Sequence, residues 1–287
     1  MRDRLSLSPV TISQCPFEVA FRVAAEAGFE GIGVRYNQLE EFLERGHGVK
    51  DVIGLARQHD LQLTEMAFLA EWQFHAGLPV ICRRQRSGGA DEEAGRLRER
   101  LRLFLERCAE LECLNATAVP AIREAGPLEQ AAEDFATLCD LARPYGVRMC
   151  LEFMGPAVQV RDLSTGWRIV ATANRPNGGL LIDTFLFHQG GSRVEDLDAI
   201  PIDKIFSVQL ADAKPLPRAK LNMLEDRVFP GEGVAGVGQV VSALSRRGYT
   251  GWWTVELFNP AYAEADSVWV ARKARATASA LLKHPTA

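Results

Sequence analysis

Residues 149–155 read MCLEFMG, residues 180–187 LLIDTFLF, residues 206–212 FSVQLAD and residues 254–259 TVELFN. Each is a mostly apolar run of strand length with one acid or amide side chain in its interior: Glu152, Asp183, Gln209 and Glu256 in turn. Near-continuous apolar runs mark strands buried on both faces of a parallel sheet. A polar residue inside such a run needs a reason, because burying it without a partner costs free energy. One could be chance, but four in successive runs point to a shared purpose.

Working outward, the four runs extend over residues 147–154, 179–187, 205–213 and 252–258, and four more precede them at 5–12, 31–36, 61–69 and 115–122. Segments of helical period lie between them, at 16–27, 49–59, 90–112, 127–143, 162–173, 237–247 and 263–282. Strands alternating with helices predict an α/β chain with an all-parallel sheet, and eight strands close it into a (β/α)8 TIM barrel, one domain over residues 1–287. A doubly wound open sheet is the alternative. It fits less well because no Gly-x-Gly-x-x-Gly follows the first strand; Gly231, Gly233, Gly236 and Gly238 come late. Most strand starts are about 26–32 residues apart, the span of a compact βα unit. Two units are longer, giving long loops after strand 3 (70–92) and strand 7 (214–236). In a barrel both emerge on the C-terminal face, where active sites lie, and are candidate lids.

Composition narrows the class. The 287 residues are 47% hydrophobic and 24% charged, with 33 Lys+Arg against 37 Asp+Glu, which excludes a disordered chain. The acidic excess and a short basic run at Arg83, Arg84 and Arg86 argue against a nucleic-acid partner. No apolar stretch approaches the roughly 20 residues of a membrane span, and the N-terminus lacks a secretory run, so no membrane partner and a cytoplasmic location are expected. The six cysteines are scattered without a Cys-x-x-Cys and read as reduced core thiols.

Three carboxylates meeting at a barrel mouth would repel one another unless a cation sat among them. The simple resolution is a divalent metal held by Glu152, Asp183, Gln209 and Glu256. With Gln209 binding through its amide oxygen every donor is oxygen, which suits Mn²⁺ first, with Mg²⁺ or Co²⁺ as alternatives. The competing reading, carboxylates paired with structural Arg or Lys, lacks a matching set of basic residues inside the same strands.

These four positions, together with AAEAGFEGIGV at 24–34, DTFLFHQGGS at 183–192, SVQLADA at 207–213 and RVFPGEG at 227–233, resemble the xylose isomerase-like TIM-barrel superfamily. More narrowly they resemble its sugar-phosphate isomerase/epimerase and inosose or dehydroshikimate dehydratase group. The similarity covers nearly the whole chain. It implies that Glu152, Asp183, Gln209 and Glu256 are metal ligands and that Glu152 and Glu256 also move protons on opposite faces of a bound ketose. It places His188, Asp212, Arg227 and Glu232 in segments lining the substrate pocket. Three positions depart from the pattern: Gln209 stands where many relatives have His, Leu186 where several have His, and Arg35 where the second strand often ends in Glu. Arg35 thus implies either an anionic substrate group or a salt bridge to Glu65.

The residues leave several roles open. His188 is a substrate hydrogen-bond donor or a packing histidine, and Arg227 a fork for a substrate oxygen or a solvated loop charge. RVFPGEG reads as a turn delivering Glu232 rather than a phosphate loop, since Pro230 removes one amide donor. Trp72, Phe74 and His75 either stack on a substrate ring or tuck onto the barrel.

The expected function is a metal-dependent isomerase or epimerase on a sugar or sugar-like ketose, working through an enediolate-type intermediate. If a β-hydroxyl leaves instead, the same first half gives a dehydratase (lyase) on a keto-cyclitol or 3-dehydroshikimate-like acid. An endonuclease would need more histidines than the five present and a basic groove; a non-catalytic accessory subunit is the fourth alternative. The expected partner is a small carbohydrate or cyclitol, with homo-oligomer formation left open.

Overall fold

The computed structural model describes residues 4–70, 74–75, 78–79, 90–122 and 126–283. Eight strands form its centre: β1 (Leu5–Leu7), β2 (Gly31–Arg35), β3 (Gln62–Ala70), β4 (Asn115–Val119), β5 (Arg148–Glu152), β6 (Gly178–Asp183), β7 (Ile205–Leu210) and β8 (Trp253–Val255). All neighbours pair in parallel and β8 returns to β1, closing the barrel. Outside it lie α1 (Phe17–Glu26), α2 (Tyr36–Glu44), α3 (Val49–Gln58), α4 (Ala90–Glu110), α5 (Leu128–Ala142), α6 (Leu163–Ala173), α7 (Thr184–Gly190), α8 (Val237–Arg246), α9 (Pro260–Ala263) and α10 (Ser267–Lys283).

The strands end earlier than their apolar runs. The run at 5–12 turns into a 3-10 segment at Pro9–Ile12, where Pro9 has no N–H for a ladder. The run at 179–187 breaks at Asp183, whose Oδ1 accepts from the Leu186 amide at 3.0 Å and so caps α7. Phe185, Leu186 and Phe187 are apolar because α7 is buried, not because the strand continues. The run at 205–213 stops at Leu210; Asp212–Ala213 then pairs antiparallel with Arg227–Val228 inside the loop leading to α8.

Strand parity places the polar residues. Successive side chains alternate faces, so Cys150 faces the same way as Glu152, and Leu181 the same way as Asp183. Cys150, Leu181 and Phe206 form a small apolar cluster separate from the main core. Glycine makes that filling fit, since a Cβ at Gly179 would come within 2.6 Å of the Phe206 ring. Cys15, Cys108, Cys113, Cys139 and Cys150 are free thiols, and among the described residues no helix is long and apolar enough to cross a membrane.

Candidate functional site

Glu152 and Asp183 are the last residues of β5 and β6, Gln209 is the penultimate residue of β7, and Glu256 follows β8 directly. Asp183 is opposite Gln209 in the β6–β7 register, and the Glu256 amide donates to the Leu210 carbonyl at 3.2 Å. One carboxylate oxygen from each of Glu152, Asp183 and Glu256 lies within 4.8 Å of the others, and all three residues are buried. The barrel therefore gathers the four side chains at the C-terminal end of its strands.

The cluster is strongly acidic. Burial, and then repulsion from Glu256 and Asp183, pushes the Glu152 carboxyl well above the ordinary range. Burial also raises Glu256, against the opposing pull of Arg227. A fourth buried carboxyl, Glu65, is raised by burial while hydrogen bonds from Gln209 and Ser207 pull it down.

Among the described residues, two guanidinium groups face these carboxyls. Arg227 is 1% exposed, its NH1 donating to Asp183 Oδ2 at 2.5 Å and to the Glu256 carbonyl at 3.3 Å. Arg35 is the second; burial lowers its pKa, against the opposing pull of Glu256 and Glu41. Fully ionised, these described groups keep an excess of two negative charges, which one divalent ion would cancel.

Gln209 supplies the test of whether a metal fits. Its Nε2 donates to Glu65 Oε1 at 3.0 Å and to Glu256 Oε1 at 3.3 Å, while its buried Oε1 accepts no hydrogen bond. A buried amide oxygen without a partner, beside three clustered carboxylates, is the donor set a hard cation takes.

Other expected site residues fall elsewhere. Arg227 is neither a solvated loop charge nor open to substrate: it lies between the Phe185 and Phe258 rings, 4.9 and 5.4 Å from their centroids, and is paired with Asp183. A basic residue does accompany one of the carboxylates, delivered by the loop after β7 and not by a strand. Asp212, expected to line the pocket, instead accepts from the amides of Ala213, Gly231 and Ala235 at 2.7–3.0 Å and ties that loop together. Glu232 lies on the surface and pairs with Lys273 of α10 at 3.1 Å. His188 lines a cleft of about 440 Å³ with Arg218, Gln239 and Arg246, its pKa lowered by burial and then by Arg218. Trp72 lies outside the described residues.

Arg35 faces the barrel interior with Gly31 and Gly33, at the end of β2. Glu65, where a salt bridge to Arg35 was one expectation, accepts from Ser207 and Gln209. Glu65 belongs to the site and was missed as such, though LQLTEMAF carries the same signal as the other four strands. Ser8, whose Oγ donates to Glu256 Oε1 at 3.1 Å, carries no such signal.

Fold and site together define a TIM-barrel protein with an acidic cluster at the C-terminal mouth. The chain belongs to the xylose isomerase-like TIM barrel family, whose model matches residues 21–280. It is 34% identical over 190 residues to an inosose isomerase of Halalkalibacterium halodurans, covering 64% of this chain and 67% of that protein. It is 30% identical over 266 residues to a 3-dehydroshikimate dehydratase of Pseudomonas aeruginosa, covering 91% of this chain but 39% of that protein. The matches thus span about two thirds of the first relative and two fifths of the second. The crystal structure of the IOLI protein with a binding zinc atom superposes with a TM-score of 0.86 at 26% identity, covering 99% of each chain.

Proposed function

We propose that this chain is a divalent-metal-dependent isomerase acting on a keto-cyclitol of the inosose type or a related ketose, with Mn²⁺ as its metal. The observation that carries the reading is the buried cluster of Glu152, Asp183 and Glu256 within 4.8 Å, completed by the unpartnered Gln209 Oε1. The inosose isomerase relatives support the substrate class. The all-oxygen donor set favours Mn²⁺ over a softer-ligand metal for this chain.

Glu152, Asp183, Gln209 and Glu256 would hold the ion, whose charge would stabilise the oxyanion that develops when a proton leaves the carbon beside a carbonyl. Glu152 and Glu256, from β5 and β8, are the groups that remove and return that proton. Ser8 Oγ and Gln209 Nε2 both bond Glu256 Oε1, fixing the direction in which its carboxylate points. Arg35, on the interior face at the end of β2, would bind a substrate oxygen through its planar fork. The buried Arg227 orients Asp183 and has no free face for substrate.

Stripping the protein with a chelator, restoring Mn²⁺ and following a keto-inositol in deuterated water tests this. Isomer formation with deuterium uptake is expected, and Glu152→Gln and Glu256→Gln should each lower kcat by about 10²–10⁴-fold. Full activity and full metal content in both variants would sink the site assignment.

The dehydratase reading is favoured by one observation, the alignment with the Pseudomonas enzyme over 91% of this chain. A substrate carboxylate would then be the group for Arg35. Formation of an ultraviolet-absorbing conjugated product from a 3-dehydroshikimate-like acid, without deuterium-labelled isomer, would select it.

A further inference from the structure

Glu65 touches none of the three clustered carboxylates by hydrogen bond, yet it governs what the fourth donor can do. An amide presents N–H donors on one side and a carbonyl oxygen on the other, and only the oxygen binds a cation. Glu65 Oε1 and Glu256 Oε1 converge on one end of the Gln209 amide, at 3.0 and 3.3 Å. With Glu65 and Glu256 ionised, the state a cation beside them favours, the turned-over amide would set its oxygen against two carboxylate oxygens. In that state Nε2 faces Glu65, and Oε1, which accepts no hydrogen bond, is left to meet an ion.

The barrel is shaped to allow this reach. β3 and β7 are four places apart in the closed ring of eight strands, hence opposite one another, so Glu65 crosses the interior to hold a residue on the far wall. Gly33 leaves the space: a Cβ there would sit 3.3 Å from Glu65 Cγ. Ser207, two residues before Gln209 on the same face of β7, donates to Glu65 Oε2 at 3.0 Å and fixes the carboxylate from its other side.

We propose that Glu65 is the positioning residue of the metal centre: from across the barrel it locks the Gln209 amide with its carbonyl oxygen available to the cation. The proposal rests on the metal reading above. Replacing Glu65 by Gln offers Gln209 an N–H₂ that its oxygen can accept, so the amide turns and one donor is lost. Partners that orient metal ligands typically carry about 10–100-fold in affinity.

Calorimetric titration of Mn²⁺ into the metal-free full-length chain measures this. Glu65→Gln should weaken Mn²⁺ binding by at least about tenfold, and the same change in a Gln209→Ala background should weaken it no further. A merely structural role would weaken binding equally in both backgrounds. Equal Mn²⁺ affinity in wild type and Glu65→Gln, or an undiminished effect in the Gln209→Ala background, would overturn the proposal. No Mn²⁺ binding by the wild type would overturn the metal reading and this proposal with it, and is told apart by the wild-type titration alone. Should Glu65→Gln fail to fold, Glu65→Asp keeps the charge but shortens the reach, and the same coupling with Gln209 is expected.

Discussion

Arg227 concentrates the residue-scale energetics of the site. Its partner Asp183 is fully buried, and removing one member of such a pair strands a charge in a poorly solvated interior. Arg227→Met should cost about 3–5 kcal/mol of stability, read from urea midpoints, and added Mn²⁺ should recover part of the loss by supplying positive charge to the same carboxylates. A variant as stable as wild type without metal would contradict this. The four polar strand residues were legible because burial inside an apolar run is a local property of the sequence. The Arg227–Asp183 pair was not: its members lie 44 positions apart, and only the loop geometry between them decides whether they meet. Asp212 and Glu232 show the converse. Both lie in segments that match the family, yet one carboxylate is used up by three amides and the other by Lys273.

At the scale of elements, the apolar runs located every barrel strand and misjudged several ends. TFLF after Asp183 is buried whether it is strand or helix, so hydrophobicity alone cannot fix where the change occurs; the capping carboxylate does. The loop after β7 is built on a similar local requirement. A Cβ on Gly233 would lie 2.2 Å from the Ala213 carbonyl oxygen, in the turn that Asp212 closes and from which Arg227 enters the barrel. Gly233→Ala should therefore destabilise by about 1–3 kcal/mol and lower metal affinity through Arg227. Gly54 is the contrasting position, exposed within α3 with nothing within 4 Å of its would-be Cβ. There Ala should add about 0.5–1 kcal/mol and leave metal binding unchanged. Thermal melts and Mn²⁺ titrations of the two variants separate the cases, and a harmless Gly233→Ala would refute the loop's rigidity.

For the whole molecule, the closed barrel was readable because eight repetitions of one local alternation leave few ways to arrange a parallel sheet. How its charges balance was not readable, since the −4 of the sequence does not say where the negative groups meet. Their concentration at the mouth gives a pH signature. Glu152 and Glu256 hold protons more tightly folded than unfolded, so above the ordinary carboxylate value of 4.5 the unfolded chain ionises first and stability falls as pH rises. Asp140, Asp196 and Asp226 are lowered by their partners and act oppositely, losing their stabilisation as pH falls. The chelator-treated protein should thus show a Tm that declines from about pH 5 towards neutrality, and Mn²⁺ should flatten the decline. A metal-free Tm climbing steadily over that interval would contradict the raised carboxyls.

Glu65 crossing the barrel also ties the two halves of the barrel to one task. The oxygens proposed to hold the cation come from β5 to β7 and from Glu256 just after β8, whereas Ser8, just after β1, and Glu65 of β3 bond Glu256 and Gln209. A cut between β4 and β5 would leave one half-barrel with the full set of donors and no brace to orient them, and the other with the braces and nothing to hold.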